Sequence, residues 1–176
     1  DKSLVEQINK ISKRATFVFK NNEIKEKQKR IRNSISKIKE LDSIGINLTM
    51  SSGYKLFKKG NNNKFWFQRE TKKGSVNILV YTLPLFEKNP DLDRIIFLRD
   101  SIGKVFVPGR NKDSYLITEE AYRPYFFKTK VNSLNAFETR GTWEVVNDYM
   151  AGPFLNYYLK DSKNNRTLII EGFVFS

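Results

Sequence analysis

The chain opens with apolar residues recurring at helical spacing. Leu4, Ile8, Ile11 and Ala15 form one series, and Ile24, Ile31, Ile35, Ile38 and Leu41 form a second. Between them Asn21-Asn22 follows Phe17-Val18-Phe19 and marks a candidate break, so two helices are expected within the first 42 residues, closed by Gly45. From Ile46 the period shortens to two. Ile46, Leu48 and Met50 alternate, Ser51-Ser52-Gly53 turns, and Tyr54, Leu56 and Phe57 follow. A loop at Lys59-Gly60-Asn61-Asn62-Asn63 leads to Phe65-Trp66-Phe67. A second turn at Lys72-Lys73-Gly74 leads to Val76, Ile78, Val80 and Thr82, with Pro84 closing the strand. This reads as an antiparallel meander with one face packed on helices.

Asp91 is a suitable cap for a helix whose apolar side is Leu92, Ile95, Ile96, Leu98, Arg99 and Ile102, ending near Gly103. Strands are expected again at 122–131, 134–143, 154–159 and 167–175, with Asp161-Ser162-Lys163-Asn164-Asn165 as a hairpin loop. The pattern predicts an α+β fold: a mainly antiparallel sheet with N-terminal helices and one central helix packed on it. No linker or repeat interrupts it, so a single domain over 1–176 is expected.

Composition narrows the chemistry. With 39% hydrophobic and 14% aromatic residues the chain can build a core, and no apolar run is long enough to span a membrane as a helix. Beginning at Asp1 without a methionine or signal peptide, it is expected to be a piece of a longer protein. There is no cysteine and no histidine, which excludes thiol nucleophiles, Ser-His-Asp triads, disulfides and the usual zinc sites. No cofactor or metal is called for. The net charge of +13 admits a phosphate-bearing partner, nucleic acid or anionic lipid. Abundant Lys, Asn and Ile also fit an AT-rich coding sequence, and no nucleic-acid-binding module is recognisable.

The candidate chemistry lies in the last third. Glu138, Arg140 and Thr142 share one face of a strand, with Glu144 extending the row. Such carboxylates serve either as cross-strand ion pairs or as a general acid–base pair in glycan cleavage. Trp66 and Trp143 serve either as stacking platforms or as core. Gly152-Pro153-Phe154 lines a pocket or sets a strand entrance, and Val107-Pro108-Gly109-Arg110 lacks the lysine and helix of a phosphate loop. The candidate polar cluster or binding surface is Arg99, Asp100, Tyr115, Glu119, Glu138, Arg140, Trp143, Glu144, Gly152, Pro153, Phe154 and Glu171, with no catalytic residue among them.

Several of these residues stand in short words: Arg99-Asp100, Val107-Pro108-Gly109, Ser114-Tyr115 before Thr118-Glu119, Arg140-Gly141-Thr142-Trp143-Glu144, Met150-Ala151-Gly152-Pro153-Phe154 and Glu171-Gly172-Phe173-Val174. Through them the chain resembles the domain-of-unknown-function family numbered 4837, envelope lipoproteins of the Bacteroidetes. The likeness runs from the helical segment through Asn63-Lys64-Phe65-Trp66 and Ile78-Leu79-Val80-Tyr81, and is strongest from Arg99 to Phe175. Ala151 stands where the family pattern has a glycine. The resemblance implies that this chain is the C-terminal part of a longer lipoprotein anchored through an upstream cysteine, facing the periplasm or lying at the outer membrane. It implies no activity. The expectation is a non-enzymatic accessory or binding subunit of an outer-membrane complex. The alternatives are a carboxylate-based glycan hydrolase or glycan binder, and a basic nucleic-acid or anionic-lipid binder.

Overall fold

The computed structural model describes residues 2–32, 35–36 and 38–175. The chain divides into two compact units, Asp1–Gly53 and Tyr54–Ser176. In the first, α1 spans Lys2–Arg32, β1 Ile35–Ser36, α2 Lys39–Asp42 and β2 Met50–Ser51, with β1 and β2 paired antiparallel. The break expected at Asn21-Asn22 does not occur: α1 runs through it, because asparagine opposes a helix only weakly and the flanking Lys and Glu residues favour one. The second predicted helix is cut short instead. Ile35 enters a strand, and only Lys39–Asp42 is helical before the turn at Gly45, whose φ of 68° suits a residue without a Cβ.

The second unit is one antiparallel sheet with a helix laid across it. Its strands are β3 (Lys55–Gly60), β4 (Lys64–Thr71), β5 (Gly74–Pro84), β6 (Leu116–Thr118), β7 (Tyr125–Val131), β8 (Leu134–Val145), β9 (Ala151–Asp161) and β10 (Arg166–Phe175). They run in the order β3-β4-β5-β10-β9-β8-β6, with β7 also paired to β8. The fold is α+β, as expected, and the sheet dominates it.

Helix α3 (Leu92–Phe106) starts where the Asp91 carboxylate accepts from the Arg94 N–H at 2.8 Å. It buries Ile95, Ile102 and Phe106 against alternate residues of the strands: Trp66, Leu79 and Tyr81, Ile169 and Phe173, Phe154 and Tyr158, Phe137 and Trp143. The continuous apolar run Phe65-Trp66-Phe67 reflects burial on both sheet faces, since all three side chains are buried. α3 runs one turn past the expected stop. Gly103 sits inside it because α3 and β6 approach so closely there that a Cβ would overlap the Leu116 carbonyl oxygen.

Two further differences matter for the site. β6 was not legible as a strand, being three residues long, yet it pairs Leu116–Thr118 with Val145–Trp143. Gly152-Pro153 lies within β9, with Pro153 paired to Thr142 of β8, rather than ahead of the strand.

Candidate functional site

Arg99 projects from α3 toward the sheet and meets Glu171 of β10, with side-chain exposures of 2% and 1%. Arg99 Nε donates to both Glu171 oxygens at 3.1 Å, and Nη2 stands 2.9 Å from Oε1 as an ion contact without hydrogen-bond alignment. Nη1 donates to Thr118 Oγ1 at 2.9 Å. Asp100 Oδ1 takes the Thr118 N–H at 2.7 Å and its hydroxyl at 2.8 Å, tying β6 to α3. From β9, Asn156 Nδ2 donates to Glu171 Oε2 at 2.9 Å, and the guanidinium lies 3.9 Å from the centre of the Phe154 ring. Burial pushes the neighbouring Tyr81 phenol well above its ordinary range, the Glu171 charge adding to the effect and Arg99 opposing it. Glu171 has both oxygens engaged and no route to solvent. This is a structural ion pair.

A second pair occupies the other sheet face. Arg140 Nε donates to Glu138 Oε1 at 2.6 Å, and Tyr157 donates its hydroxyl to Oε2 at 2.7 Å. The register explains the grouping: Phe127, Glu138 and Tyr157 are cross-strand neighbours on β7, β8 and β9, as are Tyr125, Arg140 and Leu155. Here the arginine side chain is 54% exposed and its glutamate 11%. Its guanidinium lies 5.8 Å from the Phe127 ring, which stacks on Tyr125 with centroids 6.4 Å apart. Burial, with the Glu138 hydrogen bond adding, pushes the Tyr157 phenol up to about 12.

Beside this pair is an open groove of about 650 Å³. Its origin is topological. β7 pairs with β8 up to Arg140 and β6 pairs with β8 from Trp143, both along one edge, so Gly141 and Thr142 fall in the gap between them. The chain crosses from β6 to β7 through Tyr122 and Arg123, and the Glu119 N–H donates to the Thr142 carbonyl at 2.9 Å to hold that crossing. Tyr122, Arg123, Tyr125, Arg140, Pro153 and Leu155 line the groove. A Cβ at Gly141 would stand 2.8 Å from the Phe154 ring and 3.0 Å from Pro124, so only glycine leaves this floor open. Arg123 meets Asp93 at 3.2 Å on the open surface.

The expected residues therefore sort into distinct places. Arg99, Asp100, Phe154 and Glu171 join the buried network; Glu138 and Arg140 form the outer pair; Arg140, Pro153 and Phe154 reach the groove. Trp143 and Trp66 are both core, and Gly152 packs on the Trp143 indole. Tyr115 lies beneath the Lys104 ammonium at 5.5 Å, and Glu144 is half-buried on β8. Asn156, Tyr157, Tyr122, Arg123 and Tyr125 went unmarked in the sequence, because their roles come from register and not from any local word, and Thr118 stood in a word that did not show its tie to Arg99 and Asp100.

Among the described residues no group of three or more acidic side chains could hold a metal ion, and no helix is long and apolar enough to cross a membrane. No curated protein and no solved structure matches the chain. A family model, the domain of unknown function DUF4837, matches residues 32–176, which include the whole sheet, α3 and every residue of both pairs and the groove. The chain belongs to the DUF4837 family.

Proposed function

We propose that this chain is a non-enzymatic binding protein of the cell envelope, an accessory or binding subunit of an outer-membrane complex, that engages its partner through the groove beside β8. The groove carries the reading. Two arginines and two tyrosines converge on an open apolar floor, the residue types that dominate protein-binding hot spots. The envelope setting rests on the resemblance to lipoproteins, whose anchor would lie upstream of this chain. Cross-linking and affinity purification of the tagged full-length protein from its native membranes tests the reading. One outer-membrane complex should be recovered in near-equal amount, and Arg123→Ala with Arg140→Ala should release it. Recovery of the protein alone would remove the proposal.

The glycan-hydrolase alternative loses its carboxylate pair. Glu138 and Glu144 are six residues apart on one strand, roughly 20 Å at ~3.3 Å per residue, whereas paired glycosidase carboxylates stand about 5–10 Å apart. Glu138 and Glu171 lie on opposite sheet faces, and each is held by an arginine.

The anionic-lipid alternative keeps one observation. On α1 the stripe Leu4, Ile8, Ile11, Ala15 and Val18 is exposed, while Lys10, Lys13, Arg14 and Lys20 project elsewhere around the helix. Co-sedimentation with anionic vesicles over a salt series tests it, and binding that ignores salt would sink it.

A further inference from the structure

Beneath the Val107-Pro108-Gly109 turn the aromatic core borders a second, partly open cavity, of about 140 Å³, that shares no lining residue with the groove. Trp66, Leu116, Trp143, Met150, Phe173 and Phe175 form the aromatic and large apolar part of its wall, and no Lys, Arg, Asp or Glu lines it. The two indoles flank Phe173, with ring centroids 6.0 and 5.8 Å away, so the wall presents aromatic faces and edges.

Part of the polar wall is already paired. Trp66 Nε1 donates to Asn77 Oδ1 at 2.9 Å, and Asn77 Nδ2 donates to Ser75 Oγ at 3.0 Å. The Trp143 indole is not paired. It is 1% exposed, and its Nε1 is buried without a hydrogen-bond partner. A buried donor left unpaired is costly, and natural cores rarely keep one without a reason. The position of the indole is also enforced: a Cβ at Gly152 would meet Trp143 Nε1 and Cζ2 at 3.0 Å and overlap the Val174 carbonyl oxygen. Glycine there allows the Trp143 ring to lie where it does.

We propose that this cavity is a binding site for a small, neutral, single-ring molecule bearing one hydrogen-bond acceptor, which takes the Trp143 N–H. Size sets the first limit, since an apolar cavity of about 150 Å³ admits benzene. Neutrality follows from the uncharged wall, where an ion would be desolvated without a counter-charge. The acceptor follows from the unpaired indole donor.

Phenol is the probe, with benzene as the control lacking an acceptor and benzoate as the charged control. In ¹H–¹⁵N spectra of the whole chain the two indole N–H signals are assigned with Trp66→Phe. Phenol should move the Trp143 signal, leave that of Trp66 in place, and saturate at roughly millimolar concentration, as suits so small a ligand. Benzene should bind more weakly with a smaller shift, and benzoate should not bind. Trp143→Phe should weaken phenol about tenfold while leaving benzene unchanged, one hydrogen bond being lost. Where that variant fails to fold, the wild-type titration decides alone. The proposal is overturned if phenol leaves the Trp143 signal in place, if benzoate binds as well as phenol, or if the indole contacts only a long-lived water that phenol does not displace.

Discussion

Arg99–Glu171 and Arg140–Glu138 are the same chemistry set on opposite faces of one sheet. The first is sealed between α3 and β10, with Thr118, Asn156 and Phe154 completing its shell. The second is half open, with its arginine leaning over aromatic rings toward a groove. Their environments set them different tasks. In the interior each charge has lost its water, so the pair must stay complete or the remaining charge stands alone. In the outer pair the arginine keeps its water, which leaves the guanidinium available to a ligand, and Glu138 beneath it keeps the Tyr157 hydroxyl as a second partner. Identical pairs thus divide into a structural tie and a candidate contact, and burial is what separates them.

The sharpest way to break this comparison is to remove one member of the buried pair. Arg99→Met should cost about 3–5 kcal/mol in urea denaturation by leaving Glu171 unpaired, and Arg99→Met with Glu171→Leu should recover much of that loss. A loss below about 1 kcal/mol would show that the interior is wetter than its packing implies. Next in size, Gly141→Ala should cost about 1–3 kcal/mol by pressing a methyl on Phe154 and Pro124, and should weaken partner recovery more than stability predicts.

Tyr157→Phe should cost about 1 kcal/mol, the hydrogen bond to Glu138 being lost. Its titration carries a sign. The folded phenol is raised to about 12, so the protonated form is favoured by folding. That contribution is fully present below the unfolded value of about 10 and fades as pH rises through 12. Ultraviolet difference spectra of the wild type should show a tyrosine ionising near 12 that is missing in Tyr157→Phe. The smallest effect on stability should come from Arg140→Ala, about 0.2–1 kcal/mol and shrinking in salt, and it should weaken recovery of the proposed partner. An Arg140→Ala loss equal to that of Arg99→Met would erase the distinction between the two pairs.

Much of the molecule was legible locally. The Asp91 cap and the spacing of Ile95 and Ile102 announce α3, and the alternation through Val76–Thr82 announces β5, because these signals are carried by neighbours within a few residues. The helix break at Asn21-Asn22 misled, since asparagine only weakly opposes a helix that nothing else interrupts. The candidate list held both arginine–glutamate pairs, yet Glu138 and Arg140 were readable as partners from their spacing, while Arg99 and Glu171 are 72 residues apart.

On its own, then, the sequence determined the α+β class, most of the strands, the absence of histidine and cysteine chemistry, and the family. Tertiary structure decided which arginine is sealed and which faces water, that β6 and β7 share one edge of β8 and leave a groove between them, and that Trp143 keeps an unpaired donor inside the core. The reason is physical: helix caps and strand alternation arise from near neighbours, whereas burial and register arise from segments brought together only when the whole sheet has formed.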